Sequence, residues 1–359
     1  MNALREKIGQ MIMVGCRAEC ISPDEQVIFE EYNFGGFTLF RHNCGEPRQV
    51  LALCRSLWEG TADPPPWIAI DHEGGQVHRL PDPFTHFPAA ATLGARQDPG
   101  LARRAGRAAA TELALVGINL NFAPVLDVNS NPANPIIGAR AFGSDPKSVI
   151  EMSTAWARGL REGGVIPCGK HFPGHGDTNE DSHFTLPVVD KSLAELRAVE
   201  LPPFVEACRS GIEALMTAHV KFPALDPSHV ATLSEPIITG LLRHQLSYDG
   251  LVLSDDMEMK AIRDHYGAGE AAALALRAGV DVMLFCHSLA NAVRALEFLH
   301  SEAERSPALR AQVETSHRRI SELKGRRLKS FGGAAADELE ERLRNLDHRT
   351  LLEEIHGSL

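Results

Sequence analysis

"IPCGKHFPGHGDTNEDSH", residues 166–183, begins as a continuous apolar run and ends as a crowd of ionisable groups. His171, His175 and His183 share it with Asp177, Glu180 and Asp181. Pro173, Gly174 and Gly176 forbid a helix through this stretch. The opening seven residues do not alternate between apolar and polar. A strand of that kind is buried on both faces, as in a parallel sheet covered by helices. Its chemistry is held back for the point where the strand stops.

The same design recurs outward in both directions. Apolar runs fall at "QMIMVGC" (10–16), "GGFTLF" (35–40), "WIAID" (67–71), "INLNFAPVLDV" (118–128), "ALMTAHV" (214–220), "GLVLSDD" (250–256) and "DVMLFC" (281–286). With 166–172 they make eight. Between them lies helix punctuation. "SPDE" (22–25) supplies a Ser cap, a Pro at the first helical position and a Glu at the capping-box position. "SDPKSVIEMSTAWARGLREGG" (144–164) starts on an Asp cap with Pro146 and stops at two glycines. "LSEPIITGLLRHQL" (233–246) repeats the pattern before the seventh run. Eight strands alternating with helices predict a (β/α)8 TIM-type barrel. A doubly wound open sheet is the competing α/β arrangement, but the Gly-rich turn it needs after its first strand is missing. The expected organisation is one catalytic domain over 1–323. A C-terminal helical extension over 324–359 follows, rich in charge and in Leu at helical spacing.

Bulk properties narrow the function. The 359 residues carry a formal charge of −11 and are 44% hydrophobic. That excludes a disordered chain and speaks against a nucleic-acid binder, which needs a basic face. The seven cysteines are odd in number, and several sit in apolar runs, so they read as reduced thiols and not as a disulfide framework. There is no CxxC, and Cys16 and Cys20 have no matching pair to complete a zinc site. The N-terminus lacks a signal peptide's apolar core, and no run is long enough to span a bilayer. The expectation is a soluble cytoplasmic protein with no membrane partner.

Polar groups gather directly after the runs: "DHEGGQVHR" (71–79), "DVNSNPANPIIGARAF" (127–142), "AHVKFP" (218–223) and "SDDMEM" (254–259). In a barrel these strand ends share the C-terminal face, where active sites of the fold are built. Asp255 stands nearest the barrel mouth, where a carboxylate can face and attack a substrate. Asp256 reads equally as a helix N-cap. Asp181 and His183 are two apart, so in extended chain they share a side, and the carboxylate can tune the imidazole as a general acid. A solvated loop would look the same. Lys170, seldom buried without a partner, needs a carboxylate or a ligand oxygen. Arg79 and Arg140 follow turns at strand ends and suit a clamp on a sugar or carboxylate. His175 and its glycines read as turn-shaping. A metal cluster of His171, His175, Asp177, His183 and Asp255 is the rival reading. It is weakened by Pro173 and Gly174 between the first two histidines, and by the lack of an HxH pair near the first strand.

Taken together, "KHFPGHGDT…DSH", "IDHEGG…HR", "IGARAFGSDP" and "DGLVLSDDMEM" resemble glycoside hydrolase family 3, and more narrowly its NagZ-type β-N-acetylglucosaminidase branch. The resemblance runs from about residue 6 to about residue 300. It implies Asp255 as catalytic nucleophile and His183, paired with Asp181, as acid/base. It implies that Asp71, Arg79, Arg140, Lys170 and His171 bind an N-acetylglucosamine unit. It implies no cofactor and no metal. The expected partner is a small carbohydrate, a GlcNAc-containing muropeptide or oligosaccharide, handled by a monomer or weak homodimer. Departures from the family's usual pattern are Glu258, where a small residue is common, His72 and Gln76. Three other functions compete: a phosphorylase of the same glycosides, a β-glucosidase or β-xylosidase, and a binding protein on an inactive barrel.

Overall fold

The computed structural model describes residues 3–61, 63–178, 186–346 and 348–357. Eight parallel strands close into a barrel in sequence order. They are β1 (Ile12–Gly15), β2 (Gly36–Leu39), β3 (Trp67–Ile70), β4 (Leu120–Asn121), β5 (Ile166–Phe172), β6 (Ala214–Thr217), β7 (Leu251–Asp256) and β8 (Val282–Phe285). The seam is sealed by Ile12 against Met283, Met13 against Leu284 and Val14 against Phe285. The expected (β/α)8 barrel is the observed one, and each apolar run supplies one strand. The runs are unbroken because barrel side chains inside and helix-facing side chains outside are both dry.

The fourth run pairs formally over only two residues. Pro124 has no N–H to give a ladder. The segment nonetheless stays beside β5, through Cys168 N–H to Ala123 O (3.0 Å), Lys170 N–H to Pro124 O (3.1 Å) and Leu126 N–H to Lys170 O (2.7 Å). This irregular edge brings the loop after β4 against the loop after β5, a contact the site depends on.

Helices form where their punctuation stands. Ser22 and Glu25 make a reciprocal capping box on the helix Pro23–Tyr32. Asp145 caps Pro146–Glu162, whose buried stripe includes Val149, Met152, Trp156 and Leu160. The segment at 236–245 differs from an ordinary α-helix. It winds as a π-helix, Pro236–Gln245, ending with Leu246 N–H on Leu241 O at 2.9 Å. Ser234 Oγ accepts the Ile237 N–H at its start.

The helix Pro307–Arg327 crosses the N-terminal end of the barrel and runs through residues 323 and 324 without a break. There Lys324 is fully buried. Its Nζ donates to Gln10 Oε1 (2.7 Å) and Gly35 O (2.8 Å), and lies 5.3 Å from the Trp67 ring centroid. Two further helices, Leu339–Asn345 and Arg349–His356, bury Leu339, Leu343, Leu351 and Ile355 against the outside of the barrel.

Candidate active site

At the C-terminal end of the strands lies a cavity of about 310 Å³, lined by Asp71, Arg79, Arg140, Lys170, His171 and Asp255 among others. Six residues that the sequence scatters over 185 positions thus share one space. The volume sits at the low end of small-molecule sites, which run from roughly 300 to 1,000 Å³. Larger surface hollows elsewhere are distant from this polar set.

Its floor is an ion network. Lys170, on β5, is buried, and its Nζ stands 2.6 Å from both Asp71 Oδ1 and Glu73 Oε1. Glu73 also receives Arg140 in bidentate fashion, Nε at 2.8 Å and Nη2 at 2.9 Å. Burial opposes the ionisation of Glu73, but Arg140 and Lys170 overcome it and hold the carboxyl well below its usual range. Burial likewise disfavours charge on Lys170 and Arg140, and their carboxylate partners reverse this and raise both. Glu73, Lys170 and Arg140 are therefore charged at neutral pH, and Lys170 has found the partners its burial requires. Arg79 is different: its buried Nε has no hydrogen-bond partner in the structure. An orphaned guanidinium N–H at a cavity wall is a donor available to a ligand oxygen.

A second cluster orients the histidines. Asp127 is fully buried in the loop after β4. It accepts the His171 N–H (3.2 Å to each oxygen), His171 Nδ1 (2.7 Å) and the His175 N–H (2.7 Å). A carboxylate facing Nδ1 fixes the proton there and leaves Nε2 of His171 for the cavity. His175 turns its Nδ1 to Thr178 Oγ1 at 2.9 Å, and burial pushes its imidazole down to about 4. It is a neutral part of the turn.

Asp255 ends β7. Burial would raise its carboxyl, but His219, His171, the Asp256 N–H at 2.8 Å and Lys170 outweigh it and hold the group below its usual value. It is an ionised carboxylate inside a half-enclosed cavity, the state a nucleophile needs. Asp256 is no helix cap. The next helix, Lys260–Arg263, is preceded by Met259, and Asp256 Oδ1 instead takes the N–H groups of Glu258 (3.1 Å) and Cys286 (3.2 Å). His219 Nε2 donates to Asp256 O at 2.9 Å and braces the strand end from β6.

Asp181 and His183 lie outside the described residues. Of the rival metal set, Asp177 turns to Lys191 at 3.3 Å and the imidazoles to Asp127 and Thr178. No three His, Cys, Asp or Glu side chains among the described residues are grouped to hold a metal. Of the departures, His72 is buried beside His78 (ring centroids 4.4 Å), Gln76 is exposed, and neither lines the cavity.

Glu73, Asp127 and His219 were not singled out from sequence. The signal for Asp127 was a carboxylate inside the apolar run 118–128. Such a group is seldom buried unless it is paired.

Comparison with known proteins fits this geometry. The family model for the glycosyl hydrolase family 3 N-terminal domain matches residues 3–323. A β-hexosaminidase A from Pseudoalteromonas piscicida is 34% identical over 95% of this chain, which spans 61% of that protein's length. A solved family 3 β-N-acetylglucosaminidase from Paenibacillus sp. str. FPU-7 is 41% identical, with a TM-score of 0.88 over 96% of this chain and 68% of its own. Solved native NagZ from Neisseria gonorrhoeae is 32% identical, with a TM-score of 0.74 over 87% of this chain and 98% of its own. The chain therefore belongs to glycoside hydrolase family 3.

Proposed function

We propose that the protein is a retaining exo-β-N-acetylglucosaminidase that removes terminal β-linked GlcNAc from muropeptides in the cytoplasm. The observation that carries this reading is the ionised Asp255 carboxylate facing a cavity of single-sugar scale whose floor is the Asp71–Lys170–Glu73–Arg140 network. A sugar ring offers hydroxyls that both give and take hydrogen bonds. Lys170, Arg79 and Arg140 donate, Asp71 accepts, and His171 Nε2 serves a ring substituent. The β-hexosaminidase and β-N-acetylglucosaminidase relatives support the choice of sugar. Free thiols at all seven cysteines fit a reducing compartment.

In the mechanism, Asp255 attacks the anomeric carbon as the bond to the leaving oxygen breaks. That oxygen takes its proton from His183, which Asp181 keeps protonated. The glycosyl ester on Asp255 is then opened by water. His183, now neutral, takes the water's proton, the new C–O bond forms and the carboxylate leaves. Two inversions give retention.

The test is nitrophenol release from the β-N-acetylglucosaminide and the β-glucoside, in phosphate-free and phosphate buffers. The expected result is turnover of the N-acetyl substrate alone, indifferent to phosphate. Asp255→Ala should lose roughly 10⁴-fold or more in kcat, the scale of removing a nucleophile. Turnover that survives Asp255→Ala sinks the mechanism. Acceleration by phosphate makes the enzyme a phosphorylase.

A further inference from the structure

The ends of β7 and β8 hold an arrangement that the reading above does not use. His287 follows β8, and its Nε2 lies 3.1 Å from Asp256 Oδ2. Glu258 is the family departure noted above. Its Oε2 accepts the N–H groups of His287 (2.7 Å) and Ser288 (3.0 Å), and its Oε1 accepts Asn291 Nδ2 (2.7 Å). Asp256 Oδ1 meanwhile holds the Cys286 N–H. Two carboxylates from one strand end thus pin the turn that carries this imidazole. The ring leans over Phe40, centroids 5.7 Å apart, and its side chain is 67% exposed while lining the same cavity as Asp255.

Capping the following helix needs only the backbone N–H groups of this turn. The ring itself is free of that duty. Its one polar side-chain partner among the described residues is Asp256, on Nε2, which leaves Nδ1 directed elsewhere. The hydrogen bond and charge of Asp256 raise the imidazole above its ordinary value, with Glu258 adding to the rise and Arg263 opposing it. Those are the charged groups facing it from β7 and the helix Lys260–Arg263, and Phe40 covers it from the end of β2. The ring therefore keeps its proton to higher pH than an ordinary imidazole.

Position decides what it meets. Lys170 and Glu73 are 3% and 4% exposed and mark the closed end of the cavity, where the terminal sugar goes. An exo-acting glycosidase sends only its leaving group out through the mouth. We propose that His287 is a specificity-determining residue whose ring, held by Asp256 and Glu258, receives a carboxylate on the leaving-group side of the substrate. This rests on the glycosidase reading above. Glu258 and Asp256 act here as positioning residues.

The experiment compares the β-N-acetylglucosaminides of 4-hydroxybenzoate and 4-hydroxybenzamide, which differ in charge but hardly in shape. In wild type the benzoate/benzamide ratio of kcat/KM should rise as pH falls through protonation of His287. In His287→Gln the ratio should drop about three- to fivefold, the scale of a partly exposed ion pair, and lose its pH dependence. Asp256→Asn keeps an oxygen for the two N–H groups but removes the charge, and should move the rise to lower pH. An unchanged ratio in His287→Gln overturns the proposal. So does inorganic phosphate accelerating the benzamide substrate in wild type but not in the variant, which would assign the cation to a free anion. Hydrolysis of neither substrate by wild type would instead mean that the glycosidase reading has failed, and this inference with it.

Discussion

Glu73 illustrates how the smallest scale works. One carboxylate serves two buried cations, so its removal leaves Lys170 on Asp71 alone and Arg140 without its bidentate partner. Glu73→Gln should cost about 3–5 kcal/mol at neutral pH, the loss expected when one member of a buried ion set is removed. The acid limb gives a second check. The native carboxyl lies well below the unfolded value of about 4.3, so between the two values the unfolded chain binds the extra proton. That part of the stability is present above about pH 4.3 and is lost as pH falls through the native value. Urea titrations should therefore show the gap between wild type and Glu73→Gln narrowing on acidification. A gap that stays constant would show that the Glu73 charge is not the stabilising element. Residues that line the cavity, such as Asp71, Lys170 and Asp255, were legible as polar groups at the ends of apolar runs. Glu73, Asp127 and His219 act through other groups of the protein, and apart from the place of Asp127 inside an apolar run, nothing in the sequence sets them off from other polar residues at strand ends.

Among elements, the strands were legible because being buried on two faces leaves an unbroken apolar run. The lengths were less so. The run 118–128 keeps two formally paired residues because Pro124 interrupts the ladder, and the π-winding of Pro236–Gln245 has no counterpart in its caps. The loops after β4 and β5 are pressed together at Gly176, where a Cβ would stand 1.6 Å from Val128 O. Gly176→Ala should therefore push the His175 turn off Asp127. A loss of at least about 2 kcal/mol in chemical denaturation is expected, together with a raised KM. Gly325, exposed in the helix Pro307–Arg327, has nothing within 4 Å of its Cβ position. Gly325→Ala should stabilise by about 0.5–1 kcal/mol through helix propensity. If Gly176→Ala leaves stability unchanged or raises it, the packing account of Gly176 is wrong.

For the molecule as a whole, the telling residue is Lys324, a buried amine with no ion-pair partner among the described residues, at the N-terminal end of the barrel. Burial drives its pKa well below the ordinary value, with Asp63 only partly opposing. The unfolded chain takes its proton near 10.4 and the native chain at a lower pH, so in between unfolding binds a proton. This contribution to stability is full above the unfolded value and falls away as pH drops through the native one. Lys324→Met removes that slope. Melting temperatures of wild type and variant, compared from about pH 7 to about pH 9, should move in favour of wild type as pH rises. Parallel curves would mean that Lys324 stays charged in its pocket.

The seam between β1 and β8 also has a consequence in time. Neighbouring strands of this barrel emerge from the ribosome in order, except at the join, where Met13 must wait for Leu284 and Gln10 for Lys324. At translation speeds of about 5–20 residues per second, the wait from β1 to the closing helix is on the order of 15–60 s. Throughout it the first strand presents one open edge, and no amount of local helix formation can shorten the interval. Newly made chains of this protein are therefore at their most adhesive along β1, and they cease to be so only when β8 and the closing helix have emerged.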